Sequence, residues 1–294
     1  MLGSSVEEGV GRVMVNPYKK DDKVLVSKVT KFRTLKEAIL DSVSLIGGFK
    51  KIIEKGDEIL LKPNFNTVDS TPGSSDPDFV KAVIELLYEH GAGKVVLGES
   101  SMLRLSTRKV LEETGMLNEA EEAGAEVVVY DEGKWTKVTT GGTYLKKVSL
   151  PETALEAKKV VYVCCMKTHR WAKFTFSLKL AVGFMKPRER IRLHMRNLEE
   201  KIADLNLVAH PNLIIMDGRK CFISGGPAKG ELRSPGVVMA SGDRIGMDVE
   251  ALKTIESFDG ASLKDDPWSY AQIRRAVELG LGVKNEQEYE VVNE

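Results

Sequence analysis

Short apolar runs rich in Val and Ile recur along the chain, separated by stretches in which apolar residues return every three or four positions. The runs Val24 to Val29, Glu58 to Lys62, Lys94 to Leu97, Glu126 to Tyr130, Lys159 to Cys164, Asn212 to Met216 and Gly236 to Ala240 read as strands. Several are almost continuously apolar, as strands covered on both faces of a parallel sheet are. Between them, Thr34 to Ile46 carries Leu35, Ala38, Ile39, Val43 and Ile46 on one helical stripe. Asp78 to His90 opens with an acidic turn that Asp76 is placed to cap, and stops at Gly91, a favoured C-cap residue. Thr107 to Thr114, Leu198 to Ala209, Ile245 to Ser257 and Trp268 to Leu279 continue the helical series. Strands alternating with helices imply βαβ units. The expected fold is therefore α/β, a mostly parallel, doubly wound sheet with helices on both faces. Residues 131–150 break the pattern: Gly133, Gly141 and Gly142 with alternation from Thr143 to Val148 predict a hairpin, or a strand added at the sheet edge. No repeat or linker interrupts the rest, so residues 23–294 read as a single domain after an N-terminal extension of residues 1–22.

Composition narrows the function classes. The chain has 294 residues, 42% hydrophobic and 29% charged, enough for a large core at the upper end of single-domain size. Its 43 Lys and Arg balance 43 Asp and Glu, which argues against a nucleic-acid partner. No apolar run is long enough for a membrane span, and the N-terminus, with Glu7 and Glu8, lacks the apolar stretch of a secretory signal. The three cysteines are Cys164, Cys165 and Cys221. An odd count with two adjacent does not form a disulfide framework, and a cytoplasmic location is expected. Adjacent strand residues face opposite ways, so Cys164 and Cys165 cannot easily grip one metal, and buried thiols are the better reading. Abundant Lys and Glu with few Gln give a thermophile-like composition, which bears on stability rather than function.

Candidate chemistry gathers at the carboxyl ends of the expected strands, where open α/β sheets bind ligands. Lys62-Pro63-Asn64 ends one strand and leads into a polar loop through Ser75 that has the composition of a lid. Lys62 and Asn64 read equally as ligand groups or as a surface turn. Glu99-Ser100 ends the next strand, with Glu99 as an acid/base group or ligand anchor, or Ser100 or Ser106 as a plain helix cap. The densest cluster is Lys167-Thr168-His169, followed by Ser177-Leu178-Lys179. A lysine among apolar walls can bind an anion or act as a base, and a histidine there can move protons. A single histidine is more often structural, but the cluster favours function. Ser177 and Lys179 are placed to open a helix whose N-terminus would attract an anion. From Lys186 to His194 a basic run could form an anion funnel, although a solvated helix face is the usual reading of such a run, and His194 is kept as a candidate proton carrier. Asp217 follows another strand as a candidate catalytic carboxylate, and Gly225 and Gly226 would let backbone N–H groups approach a ligand, although Gly-Gly-Pro is also ordinary turn chemistry. Asp248, near a helix start, either complements the helix dipole or holds a basic site residue. No metal-ligand spacing occurs.

In order and spacing, Lys62-Pro63-Asn64, Asp76-Pro77, Gly98-Glu99-Ser100, Lys167-Thr168-His169, Ser177-Leu178-Lys179, Gly183, His194, Asp217-Gly218, Gly226-Pro227, Gly230 and Ser241 through Asp248 resemble the domain of unknown function 362 family. The resemblance runs from about Lys23 to Gly282. It implies an α/β fold and, since many relatives carry a ferredoxin-like module with four-cysteine motifs, a redox link. This chain has too few cysteines for a four-cysteine cluster, so no intrinsic iron–sulfur cluster is expected and any electrons would come from a ferredoxin-like or other external redox partner. Leu180 stands where relatives commonly have Asn. The expected function is an enzyme of unknown reaction acting on a small anionic metabolite. The alternative is a non-catalytic ligand-binding or accessory protein that lacks the iron–sulfur module.

Overall fold

The computed structural model describes residues 16–294. Most of the expected N-terminal extension, residues 1–15, lies outside the described residues. The chain begins with β1 (Lys19–Lys20), β2 (Lys23–Val29), α1 (Leu35–Leu45), β3 (Glu58–Lys62), α2 (Pro77–Glu89), β4 (Lys94–Glu99), α3 (Thr107–Glu113), α4 (Met116–Glu122) and β5 (Glu126–Val129). The middle holds β6 (Trp135–Thr139), β7 (Lys147–Pro151), α5 (Glu152–Glu156), β8 (Val160–His169), β9 (Lys173–Thr175), α6 (Ser177–Leu180), α7 (Pro187–Leu193) and α8 (Leu198–Leu205). Then come β10 (Leu213–Gly225), β11 (Gly230–Arg233), β12 (Val237–Ser241), α9 (Arg244–Glu256), α10 (Ala271–Glu278) and β13 (Tyr289–Asn293).

The main sheet runs β2-β12-β10-β8-β3-β4-β5. From β10 to β5 every neighbour is parallel. β12 is antiparallel to both β10 and β2, and β13 lies parallel to β2. The fold is α/β with a mostly parallel sheet, as the alternating pattern implies. β1 pairs antiparallel with β2 and Tyr18 is fully buried, so part of the stretch read as an extension joins the sheet.

Strand side chains alternate between two cores, as a period of two requires. Ile59, Leu61, Val161 and Val163 face α1 and α2 on one side. Leu60, Val160, Tyr162 and Cys164 face the side covered by α6, α8, α9 and α10. The hairpin expected near residues 131–150 forms as β6 and β7, but as a separate two-stranded sheet. Its Val148 and Leu150 pack into the second core rather than extending the edge of the main sheet.

Two strands overrun the ends read from sequence, and this shapes the site. β8 continues past Cys164 to His169, and β9 folds back on it antiparallel, pairing Lys167 with Thr175 and His169 with Lys173. β10 continues past Met216 to Gly225, with β11 as the antiparallel partner of its far end. These overhangs are polar and irregular, so hydrophobic periodicity does not mark them. The returning hairpin strands pair with them, and the overhangs also pair with each other, Met166 with Cys221 and Lys167 with Phe222.

Candidate functional site

Beyond the carboxyl ends of β3, β4 and β8 lies a cavity of about 530 Å³. Lys62, Asn64, Glu99, Ser100, Lys167, His169, Lys179 and His194, all singled out from sequence, line it. Strand geometry explains the core of this set. Lys167 and His169 are two apart on β8 and so share one face, while Thr168 points the other way. Thr175, opposite Lys167 in register, also lines the cavity.

The charged side chains are held differently. Lys62, 1% exposed, pairs with Glu99 at 2.7 Å and donates to the Pro63 carbonyl at 2.6 Å. Burial lowers its pKa, and Glu99 opposes that shift. Glu99 also accepts from the backbone N–H groups of Phe65 at 2.8 Å and Ser100 at 2.7 Å. Lys167, 2% exposed, donates to the Gly73 carbonyl and, among the described residues, has no carboxylate partner. Burial lowers its pKa as well. Lys179 has no hydrogen-bond or ion-pair partner among the described residues, and burial, with the charges of Lys167 and Arg190, brings it down to about 7. Among the described residues the lining carries five Lys or Arg side chains and a single carboxylate, an excess of formal positive charge although the chain is neutral.

The two histidines present opposite nitrogen chemistry. His169 Nδ1 accepts from the N–H groups of Trp171 and Ala172, both at 3.1 Å, which assigns the proton of the neutral ring to Nε2. Burial, with the neighbouring charges of Lys179, Lys167 and Arg170, pushes its pKa down to about 2, so it stays neutral. His194 caps α7 with Nδ1 2.6 Å from the Arg190 carbonyl. Only an N–H can fill that contact, so Nε2 carries the lone pair. Burial lowers the His194 pKa too, keeping it available as a base. The rings stack with centroids 6.3 Å apart.

Five sequence candidates lie outside the cavity lining. Asp217 sits within β10 rather than at its end and forms a two-contact ion pair with Arg219, which also holds Asp76 at 2.7 Å. Asp76 caps α2 as expected. Thr168 turns toward the 226–229 turn, where a Cβ on Gly226 would stand 1.9 Å from its carbonyl oxygen. Gly226 has φ +65° and gives its N–H to the Lys229 carbonyl, so Gly225 and Gly226 serve the turn, while Pro227 and Ala228 reach the cavity. Ser177 does open α6, but the place of an external anion at its N-terminus is already taken. The Asp248 carboxylate accepts from Ser177 N, Ser177 Oγ and Leu178 N at 2.9, 2.5 and 3.1 Å. Asp248 thereby anchors the turn that carries Lys179.

The loop from Pro63 to Asp76 is pinned rather than lid-like. Ser74 donates to the Thr67 carbonyl, Ser75 Oγ accepts from Asn64 N, and Ser101 Oγ donates to the Phe65 carbonyl. Arg190 lies in the run read as a solvated face, yet it is buried, with its guanidinium donating to the carbonyls of Met185, Ser100, Ser101 and Gly183. The hint available in sequence is its spacing: Arg190, Leu193 and His194 share one side of α7. Gly183 is required by contact, because a Cβ there would come 2.6 Å from Lys62 Cε. Cys164 and Cys165 are buried free thiols with pKa values raised by burial. Among the described residues no group of three or more His, Cys, Asp or Glu is arranged to hold a metal ion.

A family model described as a domain of unknown function, DUF362, matches residues 59–253, from β3 through most of α9 and around the whole cavity. The chain belongs to the DUF362 family. A thylakoid-associated protein of Synechocystis, sll1697, is 27% identical over 212 residues, covering 69% of this chain. The chain spans 64% of that relative's length. Among solved structures, lactate racemase apoprotein from Thermoanaerobacterium thermosaccharolyticum aligns over 81% of this chain and 58% of its own, with 10% identity and a TM-score of 0.43. A Thermotoga maritima protein aligns over 68% of this chain and 53% of its own, with 9% identity and a TM-score of 0.41. No helix among the described residues is long and apolar enough to cross a membrane.

Proposed function

We propose that this DUF362 protein is an enzyme that binds a small metabolite through a carboxylate or phosphate and moves a proton at a neighbouring atom. One observation carries the reading: among the described residues, Lys167 and Lys179 face one cavity without carboxylate partners, while the single lining carboxylate, Glu99, is taken by Lys62. Lys167 is almost without exposure and Lys179 is half-buried beside it, and two such lysines without a carboxylate partner among the described residues favour an anionic guest. Thr175 supports this, since its hydroxyl is buried in the lining without a hydrogen-bond partner among the described residues.

In this reading Lys167, Lys179 and Thr175 hold the anion and Lys62–Glu99 stiffens the wall. His194 Nε2 accepts the proton. His169 keeps a neutral Nε2–H that donates a hydrogen bond to developing negative charge, as an imidazole too weakly basic to ionise can. This changes the roles expected from sequence, in which Lys62 joins Lys167 in holding the anion, either histidine moves protons and Asp217 or Glu99 orients a group. The open cavity favours an enzyme over an accessory protein with a plugged site. The chain's own cysteines do not suit electron transfer, so a redox step would draw on an external donor. The three buried thiols fit a cytoplasmic setting.

The test is to screen carboxylates and phosphates by thermal shift, then follow the ligands that bind by proton NMR in D₂O. The reading expects exchange or conversion of at least one ligand. The His194→Gln variant should still bind it but lose turnover. Binding without exchange or conversion for any of these ligands would favour the non-catalytic alternative.

A further inference from the structure

The depth and the mouth of the cavity differ in chemistry. Lys62 and Lys167 lie deep, almost without exposure. The mouth carries a group of apolar side chains: Trp171 is 70% exposed, Ile191 58%, Leu103 42% and Met102 41%, and all four line the cavity, beside the exposed polar residues Asn66, Arg170 and His194. Scattered exposed apolar residues are ordinary, but convergence around one opening marks a binding site. Here the four come from three separate segments. Met102 and Leu103 follow β4, Trp171 sits in the β8–β9 turn and Ile191 is on α7. No local propensity brings these segments together. Leu180 and Val182 continue the apolar wall inward from the mouth.

Size points the same way. A cavity of about 530 Å³ is far larger than a bare phosphate or acetate needs. It falls within the range of about 300–1,000 Å³ typical of sites for organic ligands.

We infer that the ligand is an anionic amphiphile: a single carboxylate or phosphate held at Lys167 and Lys179, joined to an aliphatic or aromatic body that covers Trp171, Ile191, Leu103 and Met102. This rests on the anion site proposed above and adds the chemical class of what the anion is attached to. Lysines inside and apolar groups outside orient such a molecule head inward. The histidines then flank the atoms next to the head group.

The experiment is titration calorimetry of the full chain with acetate, hexanoate and decanoate, and with decyl phosphate to compare the two head groups. Each methylene that becomes buried raises affinity about fourfold. Affinity should climb along the carboxylate series, and decanoate should quench Trp171 fluorescence. A Trp171→Ala/Ile191→Ala double variant should lose at least tenfold for decanoate and keep its acetate affinity. Lys167→Ala should weaken both ligands. Equal affinity for acetate and decanoate overturns the amphiphile and leaves the anion site standing. A chain-length gain that Lys167→Ala does not weaken, or no binding of any of the four ligands, overturns both. Co-sedimentation with phosphatidylglycerol vesicles without decanoate binding would assign the apolar mouth to a lipid surface and also overturn the inference.

Discussion

Lys62 and Lys167 are both lysines at strand ends, both nearly fully buried, and they behave oppositely because of their partners. Lys62→Ala would leave Glu99 buried without its cation, costing about 3–5 kcal/mol. Lys167→Ala removes a desolvated charge and one bond to the Gly73 carbonyl, so the net change should stay within about 1 kcal/mol. Guanidinium unfolding of both variants checks this, and an equal loss in the two would contradict the assigned pairing. Lys179 makes a prediction about pH. Its folded pKa is pushed down to about 7, mainly by burial, from 10.5. In the empty protein the unfolded lysine keeps a proton that the folded one has released, so this group's contribution to stability rises with pH between 7 and 10.5. A bound carboxylate favours the ammonium form and raises the pKa in the complex. Acetate affinity should therefore fall as pH rises above 7, with proton uptake visible as buffer-dependent heats. Lys179→Met should flatten that profile, and an unchanged profile in the variant would assign the titration elsewhere. Sequence alone brings eight candidates to the cavity because strand-end position is readable from apolar runs. It offers Thr175 only as a member of the cluster that ends at Lys179 and Arg190 only as one charge of a basic run, because their roles depend on a returning strand and on carbonyls supplied by distant loops.

At the scale of elements, α6 depends on Asp248 of α9. Burial pushes the Asp248 carboxyl up to about 7 from 3.8, while the Ser177 and Leu178 donors pull it back. Between these values the folded state holds a proton that the unfolded state has lost, so stability from this group falls as pH rises from about 4 to 7. Asp248→Ala strands the Ser177 and Leu178 N–H groups and should cost about 3 kcal/mol in unfolding experiments. It should also weaken anion binding by misplacing Lys179, even where the variant remains folded. Gly183→Ala forces a Cβ against Lys62 and should cost about 1–3 kcal/mol in the same assay. A neutral result would mean that the Lys62–Glu99 pair can move aside. Elements with strong periodicity, such as α2 and β3, are legible to within a residue or two. The overhangs of β8 and β10 are not, and they account for the misplacement of Asp217 and Thr168. Thr168 remains in a strand, and alternation turns it away from Lys167 and His169, whereas Asp217, in register with Cys165 on the face that Lys167 shares, is taken up by Arg219.

Over the whole molecule, a mostly parallel sheet separates two apolar cores and gathers its charged strand ends on one side. The chain carries zero formal charge, so total charge gives no sign of a positive site. The sign emerges only when folding buries Lys167, sets Lys179 beside it in the cavity and commits Glu99 to Lys62. A hydrogen bond from a desolvated ammonium to an anion contributes roughly 1.5–3 kcal/mol, or about ten- to a hundredfold in affinity. The most direct measurement is titration calorimetry of acetate and phosphate into wild type and Lys167→Ala at pH 6.5, with a melting curve of each protein. The account predicts binding by wild type, a ten- to hundredfold loss in the variant, and a melting temperature that holds. Equal binding by both proteins, or collapse of the variant's melting temperature, would contradict it.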